Sequence, residues 1–251
     1  MCEAISAVVC STIELNNQGV AHLHRGHFPN AVRSLSDALL RSKQILFEED
    51  SVQPMSCTTK ETEAIQIDIP SFCGGGGGFL RKENLSLSST NALNAQNFIF
   101  RKAFIIPRNG GFGNCSNIRY AIVCLFNLAL SHHLWALEHR GLSGCPEGGA
   151  RPRLLAAARL YELAYNLLMQ AEDLHMVPVF ALAIINNLWQ IHNACEDHTK
   201  AELCLEHLLS SLMFFCDHDK NVRTLLIDCM DGFISNVMRK LLKDIKTAPA
   251  A

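Results

Sequence analysis

Asn17-Gln18-Gly19-Val20-Ala21-His22, Asn127-Leu128-Ala129-Leu130-Ser131-His132 and Asn187-Leu188-Trp189-Gln190-Ile191-His192 are three versions of one pattern. Each opens on Asn, sets a small or aromatic residue two places on, and closes on His three places later. Each precedes a second segment of helical periodicity. Self-similarity of this kind marks a helical repeat architecture, in which one unit cannot bury its apolar face alone and stacking neighbours supply the core. The functional question then becomes which surface binds, not which residue reacts.

Outward from these stretches, apolar spacing predicts a helix from Ile5 to Arg25, ended near Gly26, and a second from Pro29 to about Glu48. Helical periodicity returns over Ile118 to Arg140, Arg153 to His175, Pro178 to Cys195 and Thr199 to Phe215. The last helix carries a stripe from Val222 to Ile245, opened by Asp219 and closed by Arg239, Lys240, Lys243 and Lys246. The expected fold class is all-α. Residues 5–48 form a first helical hairpin, 118–216 a second and third, and 219–246 a capping helix whose stripe covers the third pair.

Residues 49–117 interrupt this order. Acidic residues come first, then five glycines from Gly74 to Gly78, a Ser/Asn-rich run, and finally Arg101, Lys102 and Arg108. So long a stretch reads as a flexible, largely disordered insertion. Ala64 to Ile69 and Asn97 to Ile106 alternate or are rich in aromatic and β-branched residues, the pattern of a small β-hairpin around the glycine run.

Composition limits the function. The chain has 251 residues, 49% of them hydrophobic, and a net charge of -2, which suits a globular core and gives no field for nucleic acid or anionic lipid. Phe98, Phe100 and Phe104 among basic residues look like a single-strand binder, but charge-guarded strand edges look the same, and no nucleic-acid partner is expected. The 11 cysteines are odd in number and scattered, which favours a reducing cytoplasm or nucleus. No secretory signal or uninterrupted membrane span is evident, so no membrane partner is expected. The glycine run lacks the Lys-Ser/Thr of a phosphate loop, and no G-x-S-x-G nucleophile occurs. No enzyme activity and no cofactor are expected.

The helix pairs resemble the tetratricopeptide repeat. Leu15, Gly19, His22, Gly26, Phe28, Ala31, Leu35 and Ala38 follow that family's pattern in the first unit, with Gln18 and His22 departing from its Leu and Tyr. Leu125, Leu128, Ala129, His132, Ala157, Tyr161 and Ala164 follow it in the second, and Ile185, Leu188, Trp189, His192, Ala201, Leu205 and Leu208 in the third. Twelve positions separate both Gly19 from Ala31 and Trp189 from Ala201, against 28 from Ala129 to Ala157. The resemblance covers about two thirds of the chain. It implies a short right-handed solenoid of about three hairpins that binds a peptide or partner protein in the groove lined by each pair's first helix. Carried over, the groove positions are Asn16, Val20, Leu23, Phe126, Leu130, His133, Asn186, Gln190 and Asn193. No Lys or Arg occurs from Ile13 to His24, from Ala121 to Glu138 or from Phe180 to Thr199. A carboxylate clamp of the chaperone-binding kind is therefore not expected.

One alternative remains. His192 with Cys195, and Cys204 with His207, are three apart and share helix faces; with His198 they form a candidate zinc cluster. The plainer reading puts Cys204 in the core and His207 on the surface, with no metal. The three repeated His residues lie in successive units, about 10 Å apart, too far to share an ion.

Overall fold

In a computed structural model of the chain, residues 2–50, 98–107, 118–139, 149–170, 177–218 and 230–242 are described. They are all-helical apart from the 98–107 stretch and short turns. The helices are α1 (Cys2–His24), α2 (Phe28–Asp50), α3 (Ile118–Glu138), α4 (Ala150–Gln170), α5 (Val177–Ala194) and α6 (His198–His218), followed by α7 over 230–242.

The turns of the first and third pairs are built alike. The His27 and Gly26 amides donate to the His22 and Leu23 carbonyls at 2.9 and 3.0 Å. Adding 170 to each number gives the second turn: the Asp197 and Glu196 amides donate to His192 and Asn193 at 2.9 and 3.3 Å. Both are Schellman caps, which need a left-handed residue at the helix exit. Gly26 (φ 73°) fills that place without strain, whereas Glu196 (φ 64°) fills it as the one positive-φ non-glycine residue among those described. The His of the repeated pattern thus marks the carbonyl that the cap closes upon.

Packing follows chain order. α1 lies on α2, α3 on α4 and α5 on α6, while α2 meets α3 and α4 meets α5. Within the first pair, Gly19 faces Leu35 so closely that a Cβ there would stand 2.5 Å from Leu35 Cγ. Ala31, Ala129, Ala157 and Ala201 are likewise buried. The helices that open the second and third pairs are enclosed on every side: Tyr120 to Ser131 of α3, and Pro178 to His192 of α5, are buried without a gap. α3 is apolar and long enough to cross a membrane by composition, but most of it is buried inside the protein. A helix hydrophobic all round needs a cover on each face, and neighbouring helices alone do not supply the last one.

α7 departs from expectation. Phe233, Asn236 and Val237 are buried, but Ile234, Met238, Leu241 and Leu242 of the predicted stripe are exposed. Only the Phe233/Val237 edge packs inward, and Lys240 Nζ joins α7 to Glu202 of α6 at 3.1 Å. The earlier part of the stripe, 222–229, lies outside the described residues.

Candidate functional site

The missing cover of α3 and α5 is residues 98–107. This stretch is extended and crosses from α7 back to α1. The strand expected over Asn97 to Ile106 falls here, and its expected hairpin mate, Ala64 to Ile69, lies outside the described residues. No strand pairs with it among the described residues; its partners are side chains.

Four asparagines each bond both backbone groups of one residue. Asn236 Oδ1 accepts from the Phe98 amide at 2.9 Å and its Nδ2 donates to the Phe98 carbonyl at 2.8 Å. Asn187 holds Phe100 in the same way, with both bonds at 3.0 Å. Asn127 holds Phe104 at 2.9 and 2.8 Å, and Asn17 holds Ile106 at 2.9 and 2.7 Å. An amide side chain offers one acceptor beside two donors, the complement of one residue on a strand edge. The clamped residues alternate within each half of the stretch, as one edge of an extended chain requires. Between the halves the alternation breaks, since Ala103 and Phe104 are both buried.

The clamps brace one another. Asn127 Nδ2 also donates to Asn16 Oδ1 (2.9 Å), and Asn236 Nδ2 to Asn186 Oδ1 (2.7 Å). Asn16 and Asn186 each donate a further bond at 3.2 Å, to the Phe104 and Phe98 carbonyls respectively. Gln190 Nε2 reaches the Phe98 carbonyl at 3.1 Å, and Asn187 Nδ2 the Tyr161 hydroxyl at 3.0 Å. Asn16, Asn127, Asn186, Asn187 and Asn236 are all 0% exposed. Buried amides that lose their partners are costly, so these side chains need an extended backbone in front of them.

Aromatic side chains fill the floor. The Phe104 ring stacks on Phe180 at 3.9 Å between centroids and meets Phe126 edge-on at 4.9 Å. Phe100 stacks on Phe233 at 6.1 Å, and Phe98 meets Phe233 edge-on at 5.3 Å. Gly232 lies directly under Phe98, where any Cβ would fall 2.4 Å from the ring. Arg101 alone points to solvent, while Phe100, Phe104 and Ile106 are buried.

The nine groove positions taken from the sequence divide three ways. Asn16, Asn186 and Gln190 bond the extended stretch. Val20, Leu23, Phe126, Leu130 and His133 are buried in the core, and Asn193 is exposed away from the clamps. Three of the nine positions thus meet the chain's own residues 98–107. The clamps Asn17, Asn127 and Asn187 lie in the repeated pattern, which marks the repeat without revealing what the asparagines hold, and Asn236 sits in the apolar stripe of α7. Their signal was present: a buried polar residue recurring on helices that lack a polar face.

The candidate zinc residues do not converge. His207 Nε2 lies 3.1 Å from the Tyr165 hydroxyl, and His192 Nδ1 lies 3.9 Å from Asp197. Among the described residues no three His, Cys, Asp or Glu side chains are placed to hold an ion. Burial pushes the Cys204 thiol up to about 11, with Glu162 and Asp197 adding to the rise. Neither a family model, nor a curated protein, nor a solved structure matches this chain.

Proposed function

We propose that this chain is a non-catalytic interaction protein, a tetratricopeptide-like α-solenoid whose concave groove recognises an extended polypeptide. The observation that carries this is the row of four asparagines, each closing both hydrogen bonds of one backbone residue. Such clamps read main chain, so they hold any extended segment whose side chains suit the floor. Residues 98–107 are the resident occupant, and a partner's extended segment is the ligand that replaces it. The absence of Lys and Arg from the facing stretches of α1, α3 and α5 argues against a ligand held by its terminal carboxylate. Cys10, Cys124, Cys195 and Cys204 are unpaired, in keeping with a cytoplasmic or nuclear setting.

The test uses the full-length chain carrying Phe100→Asp and Phe104→Asp, which expels the resident segment. A labelled peptide of residues 97–108 is titrated and followed by fluorescence anisotropy. Saturable binding to the variant, absent in the wild-type chain, is expected. A variant that keeps its helical circular-dichroism signal yet ignores the peptide removes the proposal.

A further inference from the structure

We infer that the groove selects its ligand by side chain as well as by backbone, taking segments with aromatic residues at the places of Phe98, Phe100 and Phe104, a small residue at Ala103 and an aliphatic one at Ile106. Gly232 sets the first of these places. This rests on the reading that the groove accepts a segment in trans.

The asparagine clamps cannot supply selectivity, because every residue but proline offers the same amide and carbonyl. Selectivity lies in the floor. Phe104 is enclosed by Phe180 and Phe126, and Phe100 by Phe126 and Phe233. Ala103 and Ile106 are 1% and 4% exposed, so a larger residue at the first has nowhere to go and a polar one at the second loses its water. Arg101 is exposed and is not read. At the α7 end, the Phe98 ring lies where a Cβ on Gly232 would be, 2.4 Å from the nearest ring atoms. Contacts that close are not relieved by small shifts of a packed ring. Gly232 lies in a helix, where glycine is unfavourable, and the cleft it leaves is occupied by an aromatic ring. The ligand class is thus an aromatic-rich, extended segment of another polypeptide, with a ring at its leading end.

The experiment titrates peptides of residues 97–108 against the full-length Phe100→Asp/Phe104→Asp chain, or against Phe104→Ala if the double variant loses its helical signal. Alanine at the position of Phe98, Phe100, Phe104 or Ile106, or leucine at Ala103, is expected to weaken binding tenfold or more, and alanine at Arg101 less than twofold. Adding Gly232→Ala to the chain is expected to weaken the unsubstituted peptide at least fivefold and to leave binding of the Phe98→Ala peptide unchanged. Equal binding of all the peptides overturns the inference while leaving backbone recognition standing. Equal weakening of the unsubstituted and Phe98→Ala peptides by Gly232→Ala overturns the role of Gly232. Failure of every peptide to bind ends both this inference and the reading beneath it.

Discussion

Asparagine suits a clamp because it is neutral and matches the peptide unit it faces. Asn127 shows what each clamp supports: it holds both groups of Phe104 and braces Asn16. Asn127→Ala strands two buried polar groups, the Phe104 amide and Asn16 Oδ1, each costing about 1–3 kcal/mol, and leaves the Phe104 carbonyl only its bond from Asn16. The expected loss is about 3–5 kcal/mol in urea denaturation, against less than about 0.5 kcal/mol for Asn193→Ala at the exposed position. Comparable losses at the two positions would show that the clamps do not hold the fold. Histidines add a pH dependence. Burial lowers the pKa of His132, with Arg153 adding to the effect, and burial also lowers that of His192, with Lys200 assisting against Asp197 and Glu162. A His depressed in the folded state binds its proton more readily when unfolded. Stability is therefore complete above about pH 6.5, the unfolded value, and declines as pH falls from there through the folded pKa. Urea midpoints are expected to drop between pH 7.5 and 5.5, and the drop to shrink in His132→Gln/His192→Gln. A midpoint that holds or rises on acidification contradicts this.

Helices were legible from periodicity because their hydrogen bonds are local. The matched spacing of the first and third pairs reappears as matched caps, and it makes a prediction at the place where they differ. Glu196 holds a left-handed conformation that Gly26 holds freely, so Glu196→Gly is expected to raise stability by about 1 kcal/mol, read as a higher urea midpoint, while Gly26→Ala lowers it. Close packing makes another. Gly19→Ala is expected to cost about 1–3 kcal/mol by crowding buried Leu35, and to cost nothing in a Leu35→Ala background. Unchanged cost in that background would falsify the contact as its cause. The 98–107 stretch was legible only as extended, since alternation and aromatic content report local conformation. Its partner was not, because a strand's hydrogen bonds are non-local and the expected mate was another strand. α7 misled in the opposite sense. A continuous apolar stripe reads as a buried face, yet Ile234, Met238, Leu241 and Leu242 face outward. The inward edge is instead set by Phe233 and Asn236, which bind the extended stretch.

Stacked helix pairs contact only their neighbours, so such arrays approach a one-dimensional chain of weakly coupled units. The extended stretch changes that connectivity. It is clamped by α7, α5, α3 and α1 in turn, adding to the direct contacts of α7 with α5, α5 with α3 and α3 with α1, and its aromatic rings enter the core between them. The array should therefore unfold as one unit. Trp135 in α3 and Trp189 in α5 report on the second and third pairs, and far-ultraviolet circular dichroism reports on every helix. In the wild-type chain the fluorescence and dichroism transitions in urea are expected to coincide. Phe104→Asp removes the ring seated between Phe126 and Phe180 and places a charge there, breaking the stretch near its middle. The two transitions are then expected to separate, with part of the helical signal lost before the tryptophans respond. Asn236→Ala, which removes the α7 clamp while Asn186 and Gln190 still hold the Phe98 carbonyl, should give a smaller separation. Coincident transitions in a destabilised Phe104→Asp chain would mean that the helices couple through their own interfaces and that the stretch merely covers them.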